Sequence, residues 1–256
     1  MARGYVLALG IAGLVGCSLD WSSLDPRDAR ASQTTTAAAG GATGSTTSAG
    51  GGGAATTSTS SSSSGGAGGQ GQDPNCFVSL TDDFGAPDLN LWDIDVDGAC
   101  EAGFSQGVLV LSCEGGEKVR HAELRSRAEY DFETCGVAVD LEGFTNGTSG
   151  VFGLELVGLA QRYAFEVEDS NITSVQTVSG NDKTSSTNFS PDAHRWWWIG
   201  GRDGCAAWDF SSDGVEWEEF RRRCDMSLDE LQVVLFVRAE VDASATGAAF
   251  GGVNAP

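Results

Sequence analysis

The sequence predicts an all-β domain, a two-sheet antiparallel sandwich, and three observations point to it. In residues 73–256 apolar side chains alternate with polar or small ones: Val137, Val139 and Leu141, then Phe152, Leu154 and Leu156, then Tyr163, Phe165 and Val167. A period of two lines one face of a sheet. Turn dipeptides at Asn146-Gly147, Gly180-Asn181 and Asp213-Gly214 separate such runs, as hairpin connections require. Helical periodicity is nearly absent, the one candidate being a single capped turn at residues 227–231.

Further strands are predicted at residues 108–112, 122–127, 173–178, 195–200, 206–210, 216–221 and 232–239, with residues 179–190 as a long loop. About ten to twelve strands exceeds an immunoglobulin-sized unit and suits two larger packed sheets. The segment from Cys100 to Cys113 reads as a hairpin around Gln106-Gly107, with glycine where a two-residue turn needs positive φ. Counting outward from Ser105 opposite Val108 sets Cys100 opposite Cys113 at a non-hydrogen-bonded position, close enough for a disulfide. Cys205 and Cys224 flank a second hairpin and are expected to pair likewise, which leaves Cys76 with Cys135 by elimination. No Cys-x-x-Cys spacing supports a zinc site.

The seventh cysteine stands apart. Arg3 supplies a positive start, residues 5–11 an apolar stretch and residues 12–16 a small-residue approach to Cys17, in the run Leu14-Val15-Gly16-Cys17. This resembles a bacterial lipobox, which implies removal of residues 1–16 as a signal peptide and lipidation of Cys17, so that the chain is anchored to a membrane without spanning it. Ser18 in place of aspartate implies, by the same resemblance, the outer membrane of a Gram-negative cell envelope. Residues 17–30 form the lipidated N-terminal segment. Residues 31–72 are almost entirely Ser, Thr, Gly and Ala, too poor in apolar surface to offset ordering entropy, and are expected to be a disordered linker about 35 Å in mean span. Residues 73–256 make one globular domain.

Charge is confined to that domain. Residues 1–72 hold three Arg and three Asp, so the whole formal net charge of −21 falls on residues 73–256. Such a polyanion has no bulk attraction for nucleic acid or an anionic bilayer, which excludes nucleic-acid partners.

The order of several segments then suggests a family: Asp82-Asp83-Phe84, Leu89-Asn90-Leu91-Trp92, residues 107–111, Ala122-Glu123-Leu124-Arg125-Ser126, Tyr130-Asp131-Phe132, residues 194–199 and Ser211-Ser212-Asp213-Gly214-Val215-Glu216-Trp217. Together they resemble concanavalin A-like jelly-roll domains (lectins, laminin G-like modules and glucanases), with the Asp213-Gly214 turn expected to set Trp217 across from Trp208 on one face. The fold implied by the resemblance does not by itself imply one activity.

Retaining glycosidases of this family carry a nucleophile and an acid on one strand as Glu-x-Asp-x-Glu, a motif this chain lacks. The nearest pairs, Glu166 with Glu168 and Glu216 with Glu218, alternate with apolar residues or flank a turn and are expected on solvated surfaces. No catalytic residue is assigned, and the chain is expected not to be an enzyme. Gly103-Phe104-Ser105-Gln106-Gly107 fits a hydrolase nucleophile pattern but falls in a hairpin instead of a strand-to-helix elbow. Asp93, Asp95 and Asp97 before Gly98 lay out the start of a calcium loop whose twelfth position is Phe104, which excludes an EF-hand and leaves calcium as the one candidate cofactor. His121 and His194 have no ligand-spaced companions and are expected at the surface or at strand ends. For a ligand the tryptophans stand out: alternation sends Trp196 and Trp198 to one face and Trp197 to the other, and Trp208 and Trp217 complete an aromatic set able to stack on a sugar ring. The leading expectation is a membrane-anchored, non-catalytic glycan-binding module outside the cytoplasm. The alternatives are a structural lipoprotein that binds an envelope protein, and a diverged glycoside hydrolase.

Overall fold

The computed structural model describes residues 76–145, 147–224 and 226–255. Cys17, the signal segment and the Ser/Thr/Gly/Ala run lie outside the described residues. The domain is built of fourteen strands in chain order: β1 Trp92–Val96, β2 Cys100–Ser105, β3 Val108–Cys113, β4 Arg120–Ser126, β5 Gly136–Thr145, β6 Gly150–Val157, β7 Gln161–Glu168, β8 Asn171–Val178, β9 Asn181–Asn188, β10 Trp196–Arg202, β11 Cys205–Ser211, β12 Glu218–Cys224, β13 Gln232–Ala239 and β14 Thr246–Val253. They form two seven-stranded antiparallel sheets. Sheet I runs β1-β4-β13-β6-β7-β8-β9 and sheet II runs β12-β11-β10-β5-β14-β3-β2.

The predicted alternation sets the inner faces. Phe152, Leu154, Leu156, Tyr163, Phe165, Val167, Leu124, Leu235 and Val237 of sheet I close against Leu109, Leu111, Val137, Val139, Trp197, Ile199, Trp208 and Phe250 of sheet II in one buried cluster. Burying each large side chain is worth about 1.5–3 kcal/mol, and Trp197 stacks on Phe152 with ring centroids 6.2 Å apart. Hairpin turns are tight. Gln106 and Gly107 both take positive φ (54° and 83°), the conformation whose twist matches the flanking strands, and they set Ser105 opposite Val108 and Cys100 opposite Cys113. Disulfides join Cys100 to Cys113, Cys205 to Cys224 and Cys76 to Cys135.

Four expectations need correction. Residues 179–190 are not a loop: Asn181–Asn188 form β9, paired along its full length with β8. It is an edge strand, exposed at almost every position, so no apolar alternation marks it. Its turn centres on Ser179-Gly180 instead of Gly180-Asn181, since Val178 faces Asn181. Residues 246–253 also form an unanticipated strand, β14, whose glycines and alanines give little strand propensity but which lies between β5 and β3. The turn expected at residues 227–231 is not helical; Leu228 and Leu231 are buried, and the Leu231 carbonyl accepts from Tyr130 N–H.

Gly153 on β6 is a close approach between strands. A Cβ there would lie 2.1 Å from the Phe165 carbonyl oxygen and 2.9 Å from the Phe236 ring. Gly153→Ala is expected to lower stability by about 1–3 kcal/mol, as overpacking does, measured as a drop in the midpoint of denaturant unfolding with an unchanged slope.

Candidate functional site

With its apolar side turned inward, sheet I presents alternate residues of β4, β13, β6 and β7 on its outer face. The registers set Glu123 opposite Phe236, Phe236 opposite Gly153 and Gly153 opposite Glu166. The next row sets Arg125 opposite Val234, Val234 opposite Glu155 and Glu155 opposite Ala164. Arg162 at the end of β7 reaches both Glu155 and Glu166. Arg238 lies 3.3 Å from Glu155 and 3.6 Å from Glu123, and Arg125 closes on Glu123 at 3.1 Å. Three carboxylates and three guanidiniums thus form one continuous lattice across four strands. Phe236 is buried within it, with the Arg238 guanidinium 4.2 Å above its ring.

The lattice is tightly held. The Glu155 side chain is 3% exposed, and a buried carboxylate left without its partner is strongly destabilising. Burial pulls the Arg162 guanidinium down, but the charges and hydrogen bonds of Glu155 and Glu166 outweigh this and hold it above its ordinary value. The polar strip continues onto β8 and β9, where Thr173, opposite Glu166, shares a 2.8 Å hydrogen bond with Ser186 and Thr177 donates to Asp182. Planar guanidiniums and paired carboxylates beside hydroxyls are suited to the hydroxyl groups of a polar ligand.

The outer face of sheet II carries the tryptophans. Trp197 points inward and is fully buried, donating Nε1–H to the His194 carbonyl. Trp196 and Trp198 point outward, Trp198 lying opposite Asp209 and Ala138. Trp198 is nonetheless buried, because Ala138, Ala207, Phe77 and Trp217 surround it and Arg202 covers its ring at 5.0 Å. Trp196 is half-buried. The expected facing of Trp217 and Trp208 is corrected: β12 begins after Trp217, Trp208 faces Arg221, and Trp208 is a core residue whose Nε1–H donates to the Ala164 carbonyl. The indole N–H groups of Trp198 and Trp217 are buried and have no partner. Of the five candidate tryptophans, only Trp196 and Trp217 retain partial exposure.

The remaining candidates disperse. Asp93 pairs with Arg127 at 2.8 Å and Asp95 with His121 at 3.3 Å, while the Asp97 N–H donates to the His121 carbonyl. These three aspartates therefore do not wrap a common centre as a calcium loop would, and among the described residues no three metal-ligating side chains cluster. Glu168 is exposed at the end of β7, and Glu216 and Glu218 are exposed beside the Asp213 turn. His194 lies two residues before β10, at the strand end, and not at the surface. It is buried between Phe189 and Phe210, its Nδ1 accepts from Ser190 N–H, and burial lowers its pKa.

No family model matches the chain, and no curated protein matches it. Solved structures do. A Bacteroides ovatus glycoside hydrolase family 16 protein of a mixed linkage glucan PUL, in complex with its product, is 10% identical, with 69% of this chain and 99% of that chain covered and a TM-score of 0.53. A Bacteroides ovatus family 16 endo-glucanase is 9% identical over 69% of this chain and 99% of its own, with a TM-score of 0.52. A transglycosylase in complex with NAG is 12% identical over 72% of this chain and 87% of its own, at 0.50. At such identities the likeness is one of fold, and the fold is the concanavalin A-like jelly roll. It also corrects the expectation that the chain is not an enzyme, because the folds it matches include those of an endo-glucanase and a transglycosylase.

Glu123, Glu155, Arg162 and Arg238 were not singled out by sequence. The available signal was a glutamate and a glycine at the outward positions of the otherwise apolar run Gly153-Leu154-Glu155-Leu156.

Asp209 offers a pH test of sheet II. It is fully buried against Arg202, and desolvation, only partly offset by that guanidinium, pushes its carboxyl up to about 6 from 3.8. The folded protein then holds a proton that the unfolded chain releases, so this contribution to stability is fully present below pH 3.8 and lost as pH rises through about 6. Asp209→Asn is expected to flatten that falling limb in unfolding midpoints measured between pH 4 and 7.

Proposed function

We propose that the chain is a lipid-anchored protein of the cell envelope whose sandwich engages a glycan on the outer face of sheet I. The observation that carries this reading is the Glu155–Arg162–Glu166 bridge beside Phe236 and Arg238, a rigid array of hydrogen-bonding groups on the central strands of one sheet. Support comes from the fold, whose solved counterparts include a family 16 protein of a mixed linkage glucan PUL and a transglycosylase holding NAG. Carboxylates and guanidiniums fixed in place bind sugar hydroxyls without further ordering cost, which favours affinity. Anchoring is read from Cys17 and the segment before it, and the outer membrane of a Gram-negative cell from Ser18, both by resemblance to bacterial lipoproteins.

Hydrolysis or transfer at the same face is a second reading. It is favoured by one observation, that Glu155 of β6 and Glu166 of β7 project from adjacent strands on the same face and share Arg162.

Mixed linkage β-glucan oligosaccharides are expected to bind the full chain in calorimetric titration. Glu166→Gln should weaken that binding by about tenfold, the loss of a charged hydrogen bond, while retaining the wild-type circular dichroism. No heat with any β-glucan or N-acetylglucosamine oligomer would overturn the reading. Release of reducing ends, abolished by Glu166→Gln, would establish the second. Cys17→Ala is expected to move the protein from the membrane to the soluble fraction of expressing cells and to abolish labelling with a fatty-acid probe.

A further inference from the structure

Among the described residues two arginines are buried, Arg202 and Arg221. Arg202 is neutralised by Asp209. Among the described residues no carboxylate pairs with Arg221. From β12 its guanidinium passes inside the sandwich over the Trp208 ring at 5.3 Å. Its Nη1 donates to the Ser174 carbonyl at 2.9 Å, the Ser174 hydroxyl at 3.1 Å and the Lys183 carbonyl at 3.0 Å. Its Nε and Nη2 have no partner, and neither does the neighbouring Gln176 Oε1. A cation taken out of water with no counter-charge is costly and calls for an explanation.

Two more cations stand at the same margin. Lys183 lies opposite Gln176 in the β8–β9 ladder, so its side chain emerges on the side of sheet I that bears Ile172, Ser174 and Gln176. Arg223 follows Arg221 by two residues on β12 and shares its inward side, opposite Ala206. Both are exposed, and no ion pair joins either of them or Arg221 to a carboxylate among the described residues. Burial chiefly, and the charge of Arg223 in addition, lower the Arg221 pKa. In a chain of net charge −21, three cations without a carboxylate partner among the described residues lie on the inward sides of the edge strands β9 and β12, which Arg221 joins through the Lys183 carbonyl, with the hydroxyl-bearing Ser185 on the same side of β9 as Lys183.

We propose that Lys183 and Arg223, backed by the buried Arg221, form an oxyanion-binding site at the β9/β12 margin that takes a sulfate, phosphate or carboxylate group. Lys183 and Arg223 contact the anion, and Arg221 contributes a fixed positive field from below while its Nη1 pins β9 to β8 through the Ser174 and Lys183 carbonyls. Charge-assisted bonds from two donors and an unscreened third charge favour a doubly charged or bidentate group. The site lies off the outer face of sheet I and is independent of the glycan reading.

The test is thermal unfolding and calorimetric titration of the full chain with sodium sulfate and with an oligogalacturonate, against chloride at equal ionic strength. The unfolding midpoint is expected to rise by about 2 °C or more at saturating anion. The surface double variant Lys183→Ala/Arg223→Ala should lose that rise and bind about tenfold more weakly. A general salting effect of sulfate would persist in the double variant, so an undiminished rise there overturns the proposal, as does no difference between sulfate and chloride in the wild type. A response to oligogalacturonate at tenfold lower concentration than to sulfate assigns the anion to an acidic glycan, and a response to sulfate alone assigns it to a free ion.

Discussion

Trp197 reaches from sheet II into sheet I, stacking on Phe152 and tilting onto Phe165 while its indole N–H is held by the His194 carbonyl. Because side chains alternate along a strand, this one insertion sets the orientation of its neighbours. Trp196 and Trp198 must then point away from the core, and the strands receiving Trp197 must turn Gly153, Glu155, Ala164 and Glu166 to the far side of sheet I. A shift of one residue would exchange every inner and outer side chain, so the packing of one indole underlies both outer faces.

Those faces handle polarity differently. On sheet I the charges neutralise one another across four strands, and Glu155 can be buried because Arg162 and Arg238 both reach it. On sheet II an indole has been covered, Trp198 lying beneath Arg202, Trp217 and Phe77. That cover leaves two indole N–H groups and one Asp209 oxygen without partners, a local cost the large core absorbs. Phe77 follows directly on the Cys76–Cys135 disulfide and bridges Gly136 at the start of β5, so the cover is covalently held to the sheet it protects.

Legibility in the sequence followed the range of the interaction concerned. The Cys100 and Cys113 register could be counted because a two-residue turn at Gln106-Gly107 dictates it locally. The strands of Val137, Phe152 and Tyr163 were readable because burial on one face leaves a period of two. β9 escaped notice because both its faces are polar, and β14 because small residues serve a central position without announcing a strand. Trp217 does not face Trp208, because β12 starts one residue after Trp217 and the register shifts between Trp208 and Asp209. The carboxylate–guanidinium lattice was invisible for a different reason: its members come from β4, β6, β7 and β13, and only strand order brings them together.

Alternation and turn chemistry are properties of neighbouring residues, and from them the sequence alone determined an all-β sandwich, its main hairpins and the parity of the triple tryptophan. Strand order is decided by burial and by hydrogen bonds between residues far apart in the chain. Placing β13 between β4 and β6 creates the lattice around Glu155, and placing β12 across from β9 sets the buried Arg221 against the Lys183 carbonyl. Those juxtapositions are the work of the tertiary structure, because no local preference encodes which distant strand becomes a neighbour.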